Sequence, residues 1–161
     1  MRELIRTGRQ ATPEEVERIV NRVATAVFNP APVRVPTKER GLSYQGITLE
    51  AQAPSIEYHL VKRVMVECQW ADGTTTEQYV DDLRRVALYP PAMLAIYQRH
   101  GEHHVMILAD TKDALPVSRL GSRPEPATVV IYSADRGIIV TGYQALGLET
   151  LNIPKELRWL R

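Results

Sequence analysis

The apolar residues of this chain change their spacing part-way along it. Up to Pro90-Pro91 they recur three and four positions apart, the interval of a helix face. Beyond that dipeptide they fall in short β-rich runs bounded by turn residues. Helices first and strands afterward predict an α+β fold, with an antiparallel sheet carrying helices on one face.

Three helices are expected. Thr12-Pro13-Glu14-Glu15 offers a capping hydroxyl, a proline at the first helical position and acids at the positive end of the dipole. Val16, Ile19, Val20, Val23 and Val27 follow at helical spacing, and Asn29-Pro30 stops the run. Asn29 to Gly41 is rich in proline and mixed charge and reads as a linker. Residues 1–50 are therefore expected to be a helix plus a Pro-containing linker or arm, and 51–161 the main domain. Leu42 to Leu49 reads as one strand. A second helix opens at Pro54-Ser55, with Ile56, Leu60, Val61, Val64, Met65 and Cys68 inward and His59, Lys62 and Arg63 outward. A third opens with a capping box, Thr74 with Glu77 or Thr75 with Gln78. It would bury Tyr79, Val80, Leu83, Val86 and Ala87.

Met93 to Arg99 and His104 to Ala109 predict one hairpin, and Thr128 to Ala134 with Gly137 to Gln144 a second. Asp110 to Pro126 is a Pro-containing loop. Leu148 to Ile153 is expected to add a short strand and Pro154 a final turn. A two-residue loop at Asp135-Arg136 would set Tyr132 against Ile139, Val130 against Thr141 and Thr128 against Tyr143. The more apolar set, Val129, Ile131, Ser133, Ile138, Val140 and Gly142, is then assigned to the core. Thr128, Tyr132, Thr141 and Tyr143 would lie on the open face.

Composition removes several classes. The 161 residues are 44% hydrophobic and 24% charged, enough for one domain with a real core. Cys68 stands alone, so neither a disulfide framework nor a cysteine zinc site is available. A net charge of +1 leaves room for a local basic patch but not for a strongly basic nucleic-acid surface. No stretch approaches the roughly 18 apolar residues of a membrane span. MRELIRTGRQ lacks the apolar core of a secretory signal. A cytoplasmic location is expected. Gly-rich phosphate loops, HExxH and GxSxG are all missing.

Two pairs remain as site candidates. His59 and Arg63 are one helical turn apart, with Lys62 beside them, and combine a titratable ring with cations suited to phosphate. A solvated helix face would look the same. Thr141 and Tyr143 alternate along one strand and place two hydroxyls on one face. Ordinary strand propensity accounts for them equally well. His100, His103 and His104 lack a partnering carboxylate or cysteine pattern and read as a polar hairpin tip.

In order, SIEYHLVKR, DDLRRVALYPP and RGIIVTGY resemble, over Ser55 to Gln144, the barnase–EndoU–colicin–RelE superfamily of small metal-independent ribonucleases, many of them toxins. The resemblance implies N-terminal helices on one face of a four- to five-stranded antiparallel sheet. It implies catalytic roles for His59, Arg63, Thr141 and Tyr143, and RNA contacts for Lys62, Tyr132 and Thr128. His59 would be the general base or acid, Arg63 the phosphate clamp and Thr141 the ligand of a phosphoryl oxygen, while Tyr143 would orient the 2′-OH or act as the second proton-transfer group. A secreted toxin domain would be delivered into a target cell's cytoplasm. The expected reaction is attack by the RNA 2′-OH to leave a 2′,3′-cyclic phosphate, without metal or cofactor. Partners would be RNA and an antitoxin or immunity protein. The near-zero net charge and the long Asp110 to Pro126 loop depart from a minimal member. The competing expectation is a non-catalytic assembly module that docks through the amphipathic helix Thr12 to Phe28.

Overall fold

The computed structural model describes residues 1–148, 151, 154 and 156–161 of the chain. The chain is α+β. A short helix, α1 (Arg2–Thr7), precedes α2 (Pro13–Thr25), whose capping box is complete. The Thr12 hydroxyl accepts from the Glu15 N–H, and the Glu15 carboxylate accepts from the Thr12 N–H, both at 3.2 Å. The chain then forms β1 (Val27–Phe28), β2 (Pro32–Arg34), β3 (Ser43–Tyr44), β4 (Ile47–Thr48) and β5 (Gln52–Pro54). Next come α3 (Ser55–Val61) and α4 (Thr76–Leu88), the latter capped by Thr75 and Gln78. The rest is β6 (Met93–Arg99), β7 (Glu102–Asp110), α5 (Thr111–Ala114), β8 (Ala127–Ser133), β9 (Ile138–Ala145) and β10 (Arg158–Trp159).

The main sheet has six strands in the order β1-β9-β8-β7-β6-β10. Four or five antiparallel strands were expected. β9, β8, β7, β6 and β10 do pair antiparallel, and β1, running parallel to β9 at the edge, makes the sheet mixed. Strands of two residues, such as β1 and β10, carry no alternation that a sequence pattern can register. Leu42 to Leu49 is a two-stranded ribbon rather than one strand. It turns at Gln45 and Gly46, both at positive φ, as a tight hairpin requires. The β6–β7 hairpin turns the same way at His100 and Gly101.

The helices cover one face of the sheet. Leu60, Tyr79, Leu83, Leu94, Ile107, Val130 and Ile139 meet there in one buried cluster. Leu4, Ile19, Val20, Val23, Phe28, Val35, Tyr44 and Leu49 belong to the same cluster. The expected division at residue 50 is thus not a division of the core. The apolar stripe of α2 is buried inside the chain, with α2 packed on α4. The prolines of the supposed linker lead into β2, which pairs with β5. The opposite face is partly covered too. Ala95, Tyr97, Met106 and Val129 are buried there beneath Leu151 and Leu157.

The β8–β9 register departs from expectation at one residue. Tyr132 does oppose Ile139, but a bulge follows. Val140 is the extra residue, so Ile131 opposes Thr141, Val130 opposes Gly142 and Val129 opposes Tyr143. Val129 and Ile131 therefore face away from the helices, with Thr141 and Tyr143. Tyr132 and Thr128 face toward them. The expected strand between Leu148 and Ile153 falls largely on Glu149, Thr150, Asn152 and Ile153, which lie outside the described residues.

Candidate functional site at the edge of β9

β1 pairs with β9 only at Ile138 and Ile139. Further along, the backbone edge of β9 would be bare, and unpaired backbone groups away from water are costly. Side chains take the place of a neighbouring strand. The Gly142 carbonyl accepts from Arg63 Nε at 2.7 Å and from Tyr79 Oη at 2.6 Å, and the Gly142 N–H donates back to Tyr79 Oη. The Gln69 carboxamide meets both backbone groups of Gln144, at 2.9 and 3.0 Å, as a peptide unit would. Residue 142 must be glycine, because a Cβ there would lie 2.2 Å from Leu83 of α4.

Arg63 reaches this edge because α3 does not continue as an α-helix. Lys62–Val66 forms a π-turn, closed by the Glu67 N–H donating to the Lys62 carbonyl at 2.9 Å. The wider turn breaks the 100° phase on which the outward assignment rested. Arg63 is 6% exposed rather than solvated. Three of its nitrogens are engaged: Nε with Gly142, Nη1 with Glu67 at 2.5 Å and Nη2 with the Thr141 hydroxyl at 3.0 Å.

The same hydroxyl lies 3.2 Å from His59 Nδ1. Thr141 Oγ1 accepts from Arg63, so its own proton is best placed on Nδ1, and the His59 ring carries its proton on Nε2. The ring is stacked on Tyr58 at 5.3 Å and tilted against Phe28 at 5.7 Å. Tyr58 is itself fixed by donating to the buried Glu39 carboxylate at 2.5 Å. Burial, followed by the charges of Arg63 and Lys62, pulls the His59 pKa down to about 3. The ring is neutral at neutral pH. Tyr143 lies under Arg63, with the guanidinium carbon 5.6 Å from the ring centroid. Burial raises the Tyr143 pKa, and the charges of Arg63 and Arg99 oppose that rise, so the phenol keeps its proton as a donor.

The structure thus brings His59, Arg63, Thr141 and Tyr143 together. Lys62 is half-buried, its ammonium 5.7 Å over the Tyr58 ring, on the same turn. Tyr132 and Thr128 are not part of the group. Tyr132 packs in the helix-side core, and Thr128 is fully buried with its hydroxyl 2.8 Å from that of Thr111. The Val140 bulge is the reason for both corrections.

A cavity of about 250 Å³ opens beside Thr141 and Tyr143 on the face away from the helices. Tyr97, Arg99, His104, Met106 and Ile131 line it. From sequence His104 reads only as a hairpin-tip residue and Ile131 as core, and Tyr97 and Arg99 carry no site signal, although they alternate along one strand as Thr141 and Tyr143 do. Of the hairpin-tip histidines, His103 pairs with Asp135 at 3.0 Å and His104 stacks on Tyr97. Among the described residues no three His, Cys, Asp or Glu side chains are placed to hold a metal ion.

Compared with known proteins, the chain matches no protein-family model, no curated protein and no solved structure.

Proposed function

We propose that the chain is a metal-independent endoribonuclease whose centre lies at the edge of β9. One observation carries the reading: the Thr141 hydroxyl is held between a neutral His59 and the Arg63 guanidinium, with Tyr143 alongside. RNA supplies its own nucleophile, so the protein's task is positioning and charge stabilisation. The 2′-OH docks against Thr141, and its proton reaches His59 Nδ1 through that hydroxyl. A bound phosphodiester offsets the Arg63 and Lys62 charges that depress the ring, so His59 is more basic in the complex than in the free protein. The departing 5′-oxygen takes its proton from solvent water, and the protonated ring returns its extra proton to solvent. Arg63 holds Thr141 in place and sets a positive field behind the phosphate. It does not offer a free bidentate fork, because Glu67 and Gly142 already occupy it. Tyr143 donates a hydrogen bond to a phosphoryl oxygen.

The assembly-module alternative needs an unpartnered apolar helix face, and that of α2 is used within the chain. RNA with 2′-O-methyl ribose distinguishes the mechanism. Unmodified RNA is expected to be cut to fragments ending in 2′,3′-cyclic phosphate, and methylated RNA to survive. Cleavage of the methylated strand overturns attack by the 2′-OH.

A further inference from the structure

The cavity beside Thr141 holds groups that the chemistry above leaves unused. Arg99 ends β6, is exposed, and its guanidinium has no hydrogen-bond or ion-pair partner among the described residues. Its charge bears on Tyr97, His104 and Tyr143, so it stands within the electrostatic reach of three of the lining residues. Among the described residues no carboxylate lines the cavity. Glu102 lies 3.4 Å from His104 Nε2 at the cavity wall, but its carboxylate is also bonded to Ser133 at 2.6 Å and to Arg136 at 2.5 Å. A second guanidinium, that of Arg63, lies behind the Tyr143 ring. Tyr97 and Tyr143 add phenols to the lining, whereas the Thr141 hydroxyl is already shared between Arg63 and His59. The floor is apolar, formed by Met106 and Ile131. Positive charge, neutral donors and an apolar floor select an anion attached to a flat, weakly polar body. At about 250 Å³, the space exceeds the ~30 Å³ share of one water several-fold, which admits more than a bare ion.

We infer that this cavity is a nucleotide subsite, in which Arg99 pairs with a phosphate group, Tyr143 donates to it, and the base lies over Met106 and Ile131 beside Tyr97. It rests on the ribonuclease reading in one respect: the nucleotide would be the unit of RNA flanking the bond cut at Thr141. Arg99 is a binding residue here and has no part in proton transfer.

Calorimetry on the full chain tests the subsite, with 3′-nucleoside monophosphates and inorganic phosphate as probes. The monophosphates are expected to bind, and more tightly than phosphate alone. Arg99→Ala should weaken them by about tenfold or more, as loss of a charge-assisted contact does, while Arg99→Lys keeps part of the affinity. Arg99 is exposed, so an unchanged thermal midpoint shows that Arg99→Ala is folded. Wild type failing to bind, binding unchanged in Arg99→Ala, or phosphate binding as well as the nucleotides would each overturn the subsite. An RNA-cleavage arm separates the two ideas. Arg99-dependent nucleotide binding by a chain that cuts no RNA supports the subsite and overturns the nuclease. RNA cutting that is undiminished in Arg99→Ala overturns the subsite alone.

Discussion

The Thr141 hydroxyl lies 3.2 Å from His59 Nδ1, joining a hairpin strand to a helix 82 residues earlier in the chain. The contact exists because two irregularities coincide. The bulge at Val140 turns Thr141 to the outer side, and the π-turn after α3 brings Arg63 over the same edge. Each is a local departure from regular geometry of the kind found where side chains are aimed at a site.

The depressed pKa of His59 gives a signed pH dependence. The folded chain holds the ring near pKa 3, whereas an unperturbed imidazole titrates near 6.5. Between those values the unfolded chain binds a proton that the folded chain does not, so stability falls as pH falls. The contribution is complete above pH 6.5 and is lost on the way down to about 3. His59→Phe should flatten this acid slope, read from urea midpoints across the window. Part of the slope will remain, because burial also lowers the His104 pKa. A slope identical to wild type would mean that His59 is solvated. For activity, the acid limb of kcat/KM should lie well below pH 6.5.

Thr141→Val keeps the shape of residue 141 and removes its oxygen. Arg63 Nη2 and His59 Nδ1 then lose their shared partner, at about 1–3 kcal/mol of stability. Cleavage should drop by roughly 10²-fold or more, and Thr141→Ser should restore most of it. Equal rates in Thr141→Val and wild type would remove the hydroxyl from the mechanism.

Gly142→Ala tests the packing of β9 on α4. The added methyl meets three atoms of the fully buried Leu83 within 2.9 Å, so the Leu83 side chain has to shift within the core. Destabilisation of about 1–3 kcal/mol is expected. An unchanged denaturation midpoint would contradict the close approach.

Asp82 anchors the long loop after β7. Its Oδ2 accepts from Trp70 Nε1 at 3.1 Å and from Arg119 Nε at 2.9 Å, in a fully buried position. Asp82→Ala leaves the buried Trp70 Nε1 without a partner and should cost about 1–3 kcal/mol. Loosening around Trp70 would show as a shift in its fluorescence, whereas an unaltered spectrum and midpoint would contradict the anchor.

The sequence carried much of this fold where local chemistry is strong. The Thr12 cap and the buried face of α4 follow from spacing alone, while spacing leaves the α4 cap open between Thr74 and Thr75 and spreads the turn over His100 to His103, where the structure turns at His100-Gly101. What stayed hidden depends on partners distant in the chain. The parallel pairing of Val27-Phe28 with β9 leaves no periodic trace. The bulge at Val140 has no residue signature, so a period of two carried through it sent Thr128 and Tyr132 to the wrong face. In the site, His59, Arg63, Thr141 and Tyr143 were legible as two pairs, each sharing one face of one element. Their meeting, and the burial of Arg63, required the π-turn. Arg99 carries no local signal, because the cavity beside it is lined from β6 to β9 and by Leu151 and Pro154.

The most direct test is RNA cleavage in EDTA by wild type and His59→Ala, with analysis of fragment ends. The ribonuclease account predicts metal-independent cutting by wild type, 2′,3′-cyclic phosphate ends, and loss of cutting in the variant. RNA left intact by folded wild type, or cut equally well by folded His59→Ala, would contradict it.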